Sequence, residues 1–186
     1  MSEPSELPEY TAPKWAWWIA TGFGSGRLNP APGTWGSLAA WIAWFGLVCL
    51  IHTAPRTAFE CILGLLTLLM VFVSVTLTGL IVRQVNVQDP SYIVFDEWVG
   101  MWLALWPTGR HVVSALNGGG WKYALVDMFA AFLLFRLFDI WKPWPIRKLE
   151  SLPGGWGITL DDALSGILAG LIIFCAAAMK VRVFFV

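Results

Sequence analysis

Two neighbouring carboxylates, Asp96 and Glu97, stand near the start of an apolar stretch in the sequence VQDPSYIVFDEWVGMW. An ionised carboxylate at the centre of a bilayer would cost about 2.5–3.5 kcal/mol, and an adjacent pair would also repel. A bound cation would offset both costs, and so would solvation of both side chains at a membrane interface. The pair therefore indicates either a metal site or two interfacial charges.

A second charged group lies in FRLFDIWKPWPI, where Arg136, Asp139 and Lys142 are spaced three residues apart. Residues at this spacing share one face of a helix and can pair. Pro143 and Pro145 predict that the helix ends at Lys142. Arg136 and Lys142 could bind an anion. Alternatively, Arg136 and Asp139 form a structural pair, and Lys142 is an interfacial anchor.

A third group, in GGWGITLDDALSG, places Asp161 and Asp162 just before the last apolar segment. Either aspartate could cap the N-terminus of a helix that starts after them. A cap accounts for one of the carboxylates and leaves the other for a second role.

The segment NPAPGTWGSLAA combines a rigid turn with small polar residues. Pro30 and Pro32 restrict two φ angles, and Gly33 permits a sharp reversal of the chain. Thr34 is then placed to cap the helix that follows. Free amides at such a helix start, after a glycine-rich loop, form an anion site. Gly33, Thr34 and Ser37 are therefore candidates for phosphate binding, with a plain turn and cap as the alternative.

The composition is that of a membrane protein. Of the 186 residues, 58% are hydrophobic and only 13% are charged, which is little charge for a soluble domain of this size. Several of the 13 tryptophans stand at the ends of apolar runs, where an aromatic belt would lie. The formal net charge is zero, whereas binding to nucleic acid needs a basic surplus. We therefore expect membrane lipids, and no nucleic acid, as partners.

Five apolar segments predict an all-α bundle embedded in a membrane. They cover residues 36–51, 58–82, 93–107, 123–141 and 163–181. Crossing a bilayer core takes about 20 helical residues, which the second, fourth and fifth segments supply. Residues 14–24 could add an interfacial helix, and the acidic, proline-rich residues 1–13 are expected to form a disordered tail. Residues 14–186 should then form one domain.

Five spans would bring all four motifs to one face of the membrane. The N-terminal region and the loops at 83–92 and 142–162 would share that face, and a slight excess of basic residues there favours the cytoplasm. The face would gather five carboxylates and two cations beside the turn at Gly33. These side chains are Asp96, Glu97, Asp139, Asp161 and Asp162 with Arg136 and Lys142.

This set of side chains suits Mg²⁺-assisted phosphoryl transfer. Acidic oxygens without histidine or cysteine favour Mg²⁺ over zinc. Mg²⁺ typically takes one or two carboxylates together with the phosphate oxygens of a substrate. Arginine, lysine and free amides bind phosphoryl groups. The residues by themselves lead to this class of chemistry at a membrane surface.

The order and spacing of the four motifs resemble those of the bacterial phosphatidylglycerophosphatase A family over residues 17–170. The resemblance implies a multi-pass enzyme of the inner membrane whose active site faces the cytoplasm. Such an enzyme requires Mg²⁺ and removes the terminal phosphate of phosphatidylglycerophosphate, which leaves phosphatidylglycerol. The motifs do not indicate an oligomeric state.

The polar residues of the motifs are assigned roles as hypotheses. Asp96, Glu97, Asp139, Asp161 and Asp162 would hold Mg²⁺. Gly33, Thr34, Ser37, Arg136 and Lys142 would bind the phosphate. The catalytic residues would be Asp96, Asp139, Arg136 and Lys142. We favour direct attack by a metal-activated water with a carboxylate as base, and an aspartyl-phosphate on Asp96 or Asp139 is the alternative.

Other functions are compatible with charges in apolar sequence. An ion or proton carrier would spread its acidic residues through the depth of the bilayer, whereas here only Glu60 and Asp127 lie away from the motif face. A phosphotransferase of phospholipid synthesis would carry a DGxxAR block, which the sequence lacks. A lipid phosphatase of broader specificity is an alternative within the same chemistry.

Overall fold

All regular structure in the described part of the chain is helical, which confirms the predicted all-α class. The computed structural model describes residues 12–85, 87 and 90–178. These residues form two 3₁₀ turns, Ser25–Arg27 and Trp106–Thr108, and eight α-helices. The helices are α1 (Lys14–Ala20), α2 (Pro32–Ile51), α3 (Arg56–Val85), α4 (Phe95–Leu105), α5 (Gly109–Leu116), α6 (Trp121–Trp141), α7 (Ile146–Glu150) and α8 (Gly155–Ala178).

Three of the described helices are long and apolar enough to cross a membrane, fewer than the five expected from the sequence. They are α2, α3 and α8. The segment at 93–107 gives α4, whose 11 residues rise only about 16 Å. The segment at 123–141 gives the 21-residue α6, in which Asp127, Arg136 and Asp139 interrupt the apolar sequence. α4 is too short to cross a membrane, and α6 carries too many charged residues to count as an apolar membrane-crossing helix.

The helix that was predicted to follow Thr34 begins earlier, within the segment NPAPGTWGSLAA. α2 starts at Pro32, which suits the first helical position because its φ is preset and its missing N–H is not needed there. Ala31 takes the capping position and makes no side-chain cap. The predicted cap, Thr34, consequently lies inside the first turn of the helix.

The last apolar helix also begins earlier than predicted, and glycine at its start lets it pack closely on α3. A Cβ on Gly155 would stand 2.1 Å from the carbonyl oxygen of Val75. Because α8 starts at Gly155, Asp161 and Asp162 lie in its second turn and are both buried. Neither aspartate caps the helix, so the capping alternative is wrong for both.

Three short helices lie beside the long ones. α5 and α7 were not expected from the sequence, since neither has a long apolar run. α1 is the helix expected near the N-terminus, with Ala16 and Ala20 buried and Trp15 and Trp18 exposed. Its location at a membrane interface stays a prediction. Of the tail predicted over 1–13, residues 1–11 lie outside the described part of the chain.

The short helix α4 lies at the centre of the bundle together with α8. α4 contacts α2, α3, α6 and α8, and α8 contacts α3, α4, α6 and α7. Val99, Met101 and Leu105 of α4 have no accessible surface. Trp44 of α2 and Phe135 of α6 fill the adjoining core. α4 is therefore stabilised by packing against the neighbouring helices, because a helix of its length has little stability alone.

Glycines set the distance between α4 and α8. A Cβ on Gly166 would stand 2.1 Å from the carbonyl oxygen of Gly100, and a Cβ on Gly100 would stand 2.6 Å from that of Asp162. Only glycine fits either position in this packing, and small residues of this kind let two helix backbones touch. Asp96 precedes Gly100 by one turn, and Asp162 precedes Gly166 by one turn. The contact therefore brings the two carboxylates to the same end of the bundle.

We expect Gly166→Ala to lower the melting temperature of the protein in detergent, because the added methyl group would be forced into the α4 backbone. Overpacking of this kind costs about 1–3 kcal/mol. The matched control is Gly46→Ala in α2, where a Cβ meets no atom within 4 Å. Alanine is the better helix former by up to about 1 kcal/mol, so the control should melt at the same temperature or higher. Equal melting temperatures for the two variants would contradict the close contact.

Candidate active site

A polar cavity of about 550 Å³ opens at the end of the bundle where α2 and α4 begin and α6 ends. The second turn of α8 and the segment at 150–154 complete its walls. The charged residues that line the cavity are Asp96, Glu97, Arg136, Asp139, Lys142, Glu150, Asp161 and Asp162. All seven charged residues that the motifs singled out are therefore brought together in one place.

Asp96, Glu97 and Asp162 form a compact group of carboxylates within this cavity. One oxygen from each side chain lies within 4.8 Å of the other two. Asp96 and Asp162 are only 5% and 4% exposed, because each stands one turn before the glycine contact between α4 and α8. Buried carboxylates at this separation repel one another and lose hydration. A cation between them would relieve both effects.

The donor set of this group fits a divalent metal ion. All three side chains offer oxygen, which is the ligand atom of hard cations. Oε2 of Glu97 is buried without a hydrogen-bond partner among the residues that the structure describes, so it is a polar atom that a cation could satisfy. The other two predicted ligands, Asp139 and Asp161, lie outside the group and are each bonded to a cationic side chain.

Arg136 is oriented by Asp139 and Ser37. Its Nη1 donates to Oδ2 of Asp139 at 2.5 Å and to Oγ of Ser37 at 3.4 Å. The Ser37 hydroxyl donates in turn to the carbonyl oxygen of Gly33 at 2.7 Å. The predicted pairing of Arg136 with Asp139 is confirmed. Ser37 contacts the arginine without lining the cavity, so it is placed to hold Arg136 rather than to touch a ligand.

Lys142 lies between two carboxylates at the end of α6. Its Nζ donates to Oδ2 of Asp161 at 2.7 Å and to Oε1 of Glu150 at 3.0 Å. Burial acts to lower the pKa of Lys142, but the hydrogen bonds and charges of the two carboxylates outweigh it, and the pKa lies above its ordinary value. Lys142 ends the helix as predicted, with a left-handed φ of 44°. Its side chain is therefore a fixed positive charge in the cavity wall.

The first turn of α2 closes the cavity beside Glu97 and Arg136. A Cβ on Gly33 would stand 2.3 Å from Oε1 of Glu97 and 3.2 Å from Nη1 of Arg136. Glycine at this position therefore leaves room for both side chains. The amides of Gly33 and Thr34 lie in the first turn, where a helix offers no backbone acceptor. Gly33 lines the cavity, whereas the Thr34 side chain lies outside the lining.

The cavity combines an acidic excess with separate groups for binding an anion. Among the described residues, six acidic and two basic side chains line it. A divalent cation at Asp96, Glu97 and Asp162 would reduce the excess of negative charge. Arg136 and the amides of the first turn of α2 could then bind the oxygens of a phosphate. The arrangement suits metal-assisted chemistry on a phosphate group.

The cavity lining includes residues that were not predicted from the sequence, and Glu150 and Gly154 are two of them. Glu150 reaches the cavity from the end of α7 and pairs with Lys142. No spacing rule connects these two positions, since the intervening segment includes a turn and a helix without an apolar period. Gly154 also lines the cavity, with a φ of 63°. Its GG dipeptide is a turn signal by which it could have been found.

Comparison with known proteins identifies relatives across most of the chain. A family model described as Phosphatidylglycerophosphatase A matches residues 18–177. A protein named Phosphatidylglycerophosphatase A from Haemophilus influenzae is 38% identical over 84% of this chain and 85% of its own length. The protein of the same name from Escherichia coli is 35% identical over 84% of this chain and 80% of its own length.

A third relative carries a different name. A protein of Bacteroides thetaiotaomicron, provisionally named as a phosphatidylinositol-3-phosphatase, is 36% identical over 95% of this chain and 97% of its own length. No solved structure gives a significant match. The family model covers most of the chain, and its match includes all seven charged motif residues of the cavity. The chain belongs to the phosphatidylglycerophosphatase A family.

Proposed function

We propose that this protein hydrolyses the terminal phosphate monoester of phosphatidylglycerophosphate to give phosphatidylglycerol and inorganic phosphate. The observation that carries the proposal is a single cavity in which Asp96, Glu97 and Asp162 lie beside Arg136 and the first turn of α2. Membership of the family supports a phosphate ester as substrate. The names of two relatives support the glycerophosphate headgroup.

Asp96, Glu97 and Asp162 are the residues that would hold a metal ion, and Mg²⁺ is the ion that we assign to them. Mg²⁺ uses few protein carboxylates and shares its remaining positions with water and substrate phosphate. When bound, the ion supplies Lewis-acid catalysis at the phosphoryl group and makes a water molecule more acidic. Asp139 and Asp161 bond to Arg136 and Lys142, and we assign them to positioning these side chains instead of the metal-binding role expected from the sequence.

Arg136 binds the phosphoryl oxygens in this proposal. Asp139 and Ser37 engage its Nη1, and its Nε is buried without a hydrogen-bond partner among the described residues. The guanidinium therefore keeps donors for a phosphate, in the planar arrangement that suits such a group. The amides of Gly33 and Thr34 add donors at the start of α2. Lys142 contributes positive charge while it stays bonded to its carboxylate partners.

The reaction transfers the phosphoryl group to water. The water oxygen forms a bond to phosphorus, and the bond between phosphorus and the terminal glycerol oxygen breaks. A carboxylate of the cavity accepts the proton from water, and the released glycerol oxygen takes up a proton to become a hydroxyl group. Attack by Asp96 or Asp139 itself, followed by hydrolysis of the aspartyl-phosphate, is the alternative route.

We place α2, α3 and α8 across the bacterial inner membrane with the cavity on the cytoplasmic side. Their length and apolar composition support this placement. α4 and α6 would complete the five embedded helices expected from the sequence, with α4 enclosed by longer helices. The headgroup of a lipid would then enter the cavity from the membrane surface while its hydrocarbon remains at bilayer depth.

An ion or proton carrier is the weaker candidate because the acidic residues in the described part of the chain form no path along the bundle. Asp127 pairs with His111, and Glu60 accepts a hydrogen bond from Trp106 at 2.7 Å. Asp127 and Asp139 are 12 residues apart on α6, a rise of about 18 Å. The core around α4 that lies between the two ends is hydrophobic.

The purified protein in detergent should release phosphate from phosphatidylglycerophosphate in the presence of Mg²⁺ and should lose this activity with EDTA. Phosphatidic acid and phosphatidylinositol 3-phosphate, assayed at the same surface concentration, test recognition of the headgroup, and we expect both to be slower substrates. Equal release from all three would indicate a broad lipid phosphatase. Preference for the inositol lipid would move the assignment to the activity in the third relative's name. A folded protein without activity would reject the proposal.

Asp96→Asn and Asp162→Asn should each lower kcat/KM by about 100-fold or more, the scale for removing one group that stabilises transition-state charge. Each variant should also bind Mg²⁺ more weakly by isothermal titration calorimetry. The matched control is Asp127→Asn, whose carboxylate pairs with His111 far from the cavity, and its kcat/KM should stay within about twofold of wild type. Unchanged Mg²⁺ affinity in Asp162→Asn would rule out this metal site.

Gly33→Ala should reduce activity far more than stability. The added methyl group would displace the carboxylate of Glu97, which is the end of a flexible side chain, and leave the backbone in place. We expect kcat/KM to fall about tenfold or more, a barrier increase of about 1.4 kcal/mol, with the melting temperature close to wild type. Gly46→Ala in the same helix is the control and should keep full activity. Parallel losses of activity and stability would indicate a purely structural turn.

A further inference from the structure

An apolar groove of about 980 Å³ runs along the outer face of α3 and ends at the start of α8. Leu65, Leu69, Phe72 and Leu80 contribute to its wall from α3, and Trp156 contributes from α8. From Leu65 to Leu80 the helix rises about 22 Å, which exceeds the depth of one leaflet, about half of the 30 Å hydrocarbon core. The groove has the length and the apolar surface needed to hold the acyl chain of a phospholipid.

The groove and the polar cavity meet at Gly154, which lines both. A Cβ on Gly154 would meet no atom within 4 Å, so space is open around this residue. Gly79 of α3 packs against the next residue, Gly155, and a Cβ on Gly79 would stand 3.4 Å from the backbone nitrogen of Gly155. Neither Gly79 nor Gly154 carries a side chain into this boundary. An extended molecule that crosses the boundary at Gly154 would contact both the groove and the cavity.

Arg83 gives the groove a charged end on the side of the cavity. It is the charged residue of the groove lining, and it makes no ion pair within the part of the chain that the structure describes. The remaining wall, toward Leu65, is largely apolar. A glycerophospholipid matches this order, since its phosphodiester lies between its acyl chains and its headgroup. An arginine is well suited to bind that phosphodiester.

The geometry points to a lipid-binding site in which the groove holds one acyl chain of the substrate and Arg83 binds its phosphodiester. The terminal phosphate would then reach the cavity across Gly154. This inference rests on the proposed phosphatase activity and adds a binding site outside the catalytic cavity. The enzyme would accordingly select substrates that carry both a long chain and an internal phosphodiester.

Leu69→Trp tests the acyl chain, with Leu133→Trp as its matched control. Leu69 in the groove is 55% exposed and Leu133 on α6 is 51% exposed, so both changes add the same bulk to an exposed apolar face. KM is measured for long-chain phosphatidylglycerophosphate in mixed micelles and for its water-soluble dihexanoyl analogue. The ratio of the long-chain to the short-chain KM should rise about tenfold in Leu69→Trp, the factor for losing burial of roughly two methylene groups.

The control Leu133→Trp should leave this ratio at the wild-type value. Equal ratios in the wild type and both variants would overturn the inference, because the groove would then hold bulk lipid only. A change in the oligomeric mass of Leu69→Trp by light scattering would also overturn it and would assign the groove to a second copy of this chain.

Arg83→Gln tests the phosphodiester through inhibition by the two reaction products. Phosphatidylglycerol keeps the phosphodiester and the acyl chains, whereas inorganic phosphate can occupy only the cavity. The inhibition constant of phosphatidylglycerol should rise about tenfold or more, as expected for loss of a hydrogen bond to a charged group, while that of inorganic phosphate stays constant. Arg110→Gln on α5 is the control. An unchanged constant for phosphatidylglycerol would overturn the role of Arg83.

A photoreactive phosphatidylglycerol gives a result that does not depend on turnover. With a diazirine at the end of one acyl chain, it should label peptides from residues 65–80 of α3, and the label should fall in Leu69→Trp. Labelling spread equally over α2, α3 and α6 would overturn the inference. Absence of phosphate release by the wild type would reject the proposed function, and the labelling pattern would still decide whether the groove binds this lipid.

Discussion

The backbone contact between Gly100 and Gly166 determines the geometry of the cavity. Because no side chain separates α4 from α8 at this level, Asp96 and Asp162 meet one turn earlier on the two helices. The close packing of α4 and α8 buries these carboxylates and brings them together, and their loss of hydration and mutual repulsion disfavour that packing. A cation bound to the native state alone, as we propose, would offset this opposition and stabilise the fold by mass action. Helix packing and the proposed cation binding would then be coupled through one contact.

The two cationic side chains of the cavity, Arg136 and Lys142, are held in different ways, and both arrangements limit their motion. Asp139 bonds to Arg136 from the same helix, whereas Asp161 reaches Lys142 from α8 and Glu150 reaches it from α7. Positively charged side chains that are already oriented lose little entropy when an anion binds. The acidic side chains of the cavity therefore divide into two sets. Asp139, Glu150 and Asp161 hold the cationic side chains, and Asp96, Glu97 and Asp162 are the set that we propose for a metal ion.

Much of the cavity could be predicted from the sequence because charge in apolar sequence is costly and therefore stands out. Which carboxylates would lie together could not be predicted, since Asp139 and Asp161 differ from Asp162 only in the side chains that lie across from them after folding. An apolar segment such as residues 93–107 suits a helix that spans a bilayer and also a short helix buried by its neighbours. The sequence therefore predicts five spans, whereas three of the described helices are long and apolar enough to cross a membrane. The close approach of Gly155 to the backbone of Val75 joins two distant helices, and no local pattern reveals such a contact.

Lys142 shows that the chain does not use the most relaxed backbone at every position of the cavity. Its φ of 44° belongs to a region that costs an L-residue roughly 1–2 kcal/mol, and glycine would adopt it without strain. Glycine would also leave Asp161 and Glu150 without their counter-charge. Relief of this strain is smaller than the about 3–5 kcal/mol that a buried ion pair loses when one partner is removed, so the charge of Lys142, and not the backbone preference, decides which residue stands at this turn.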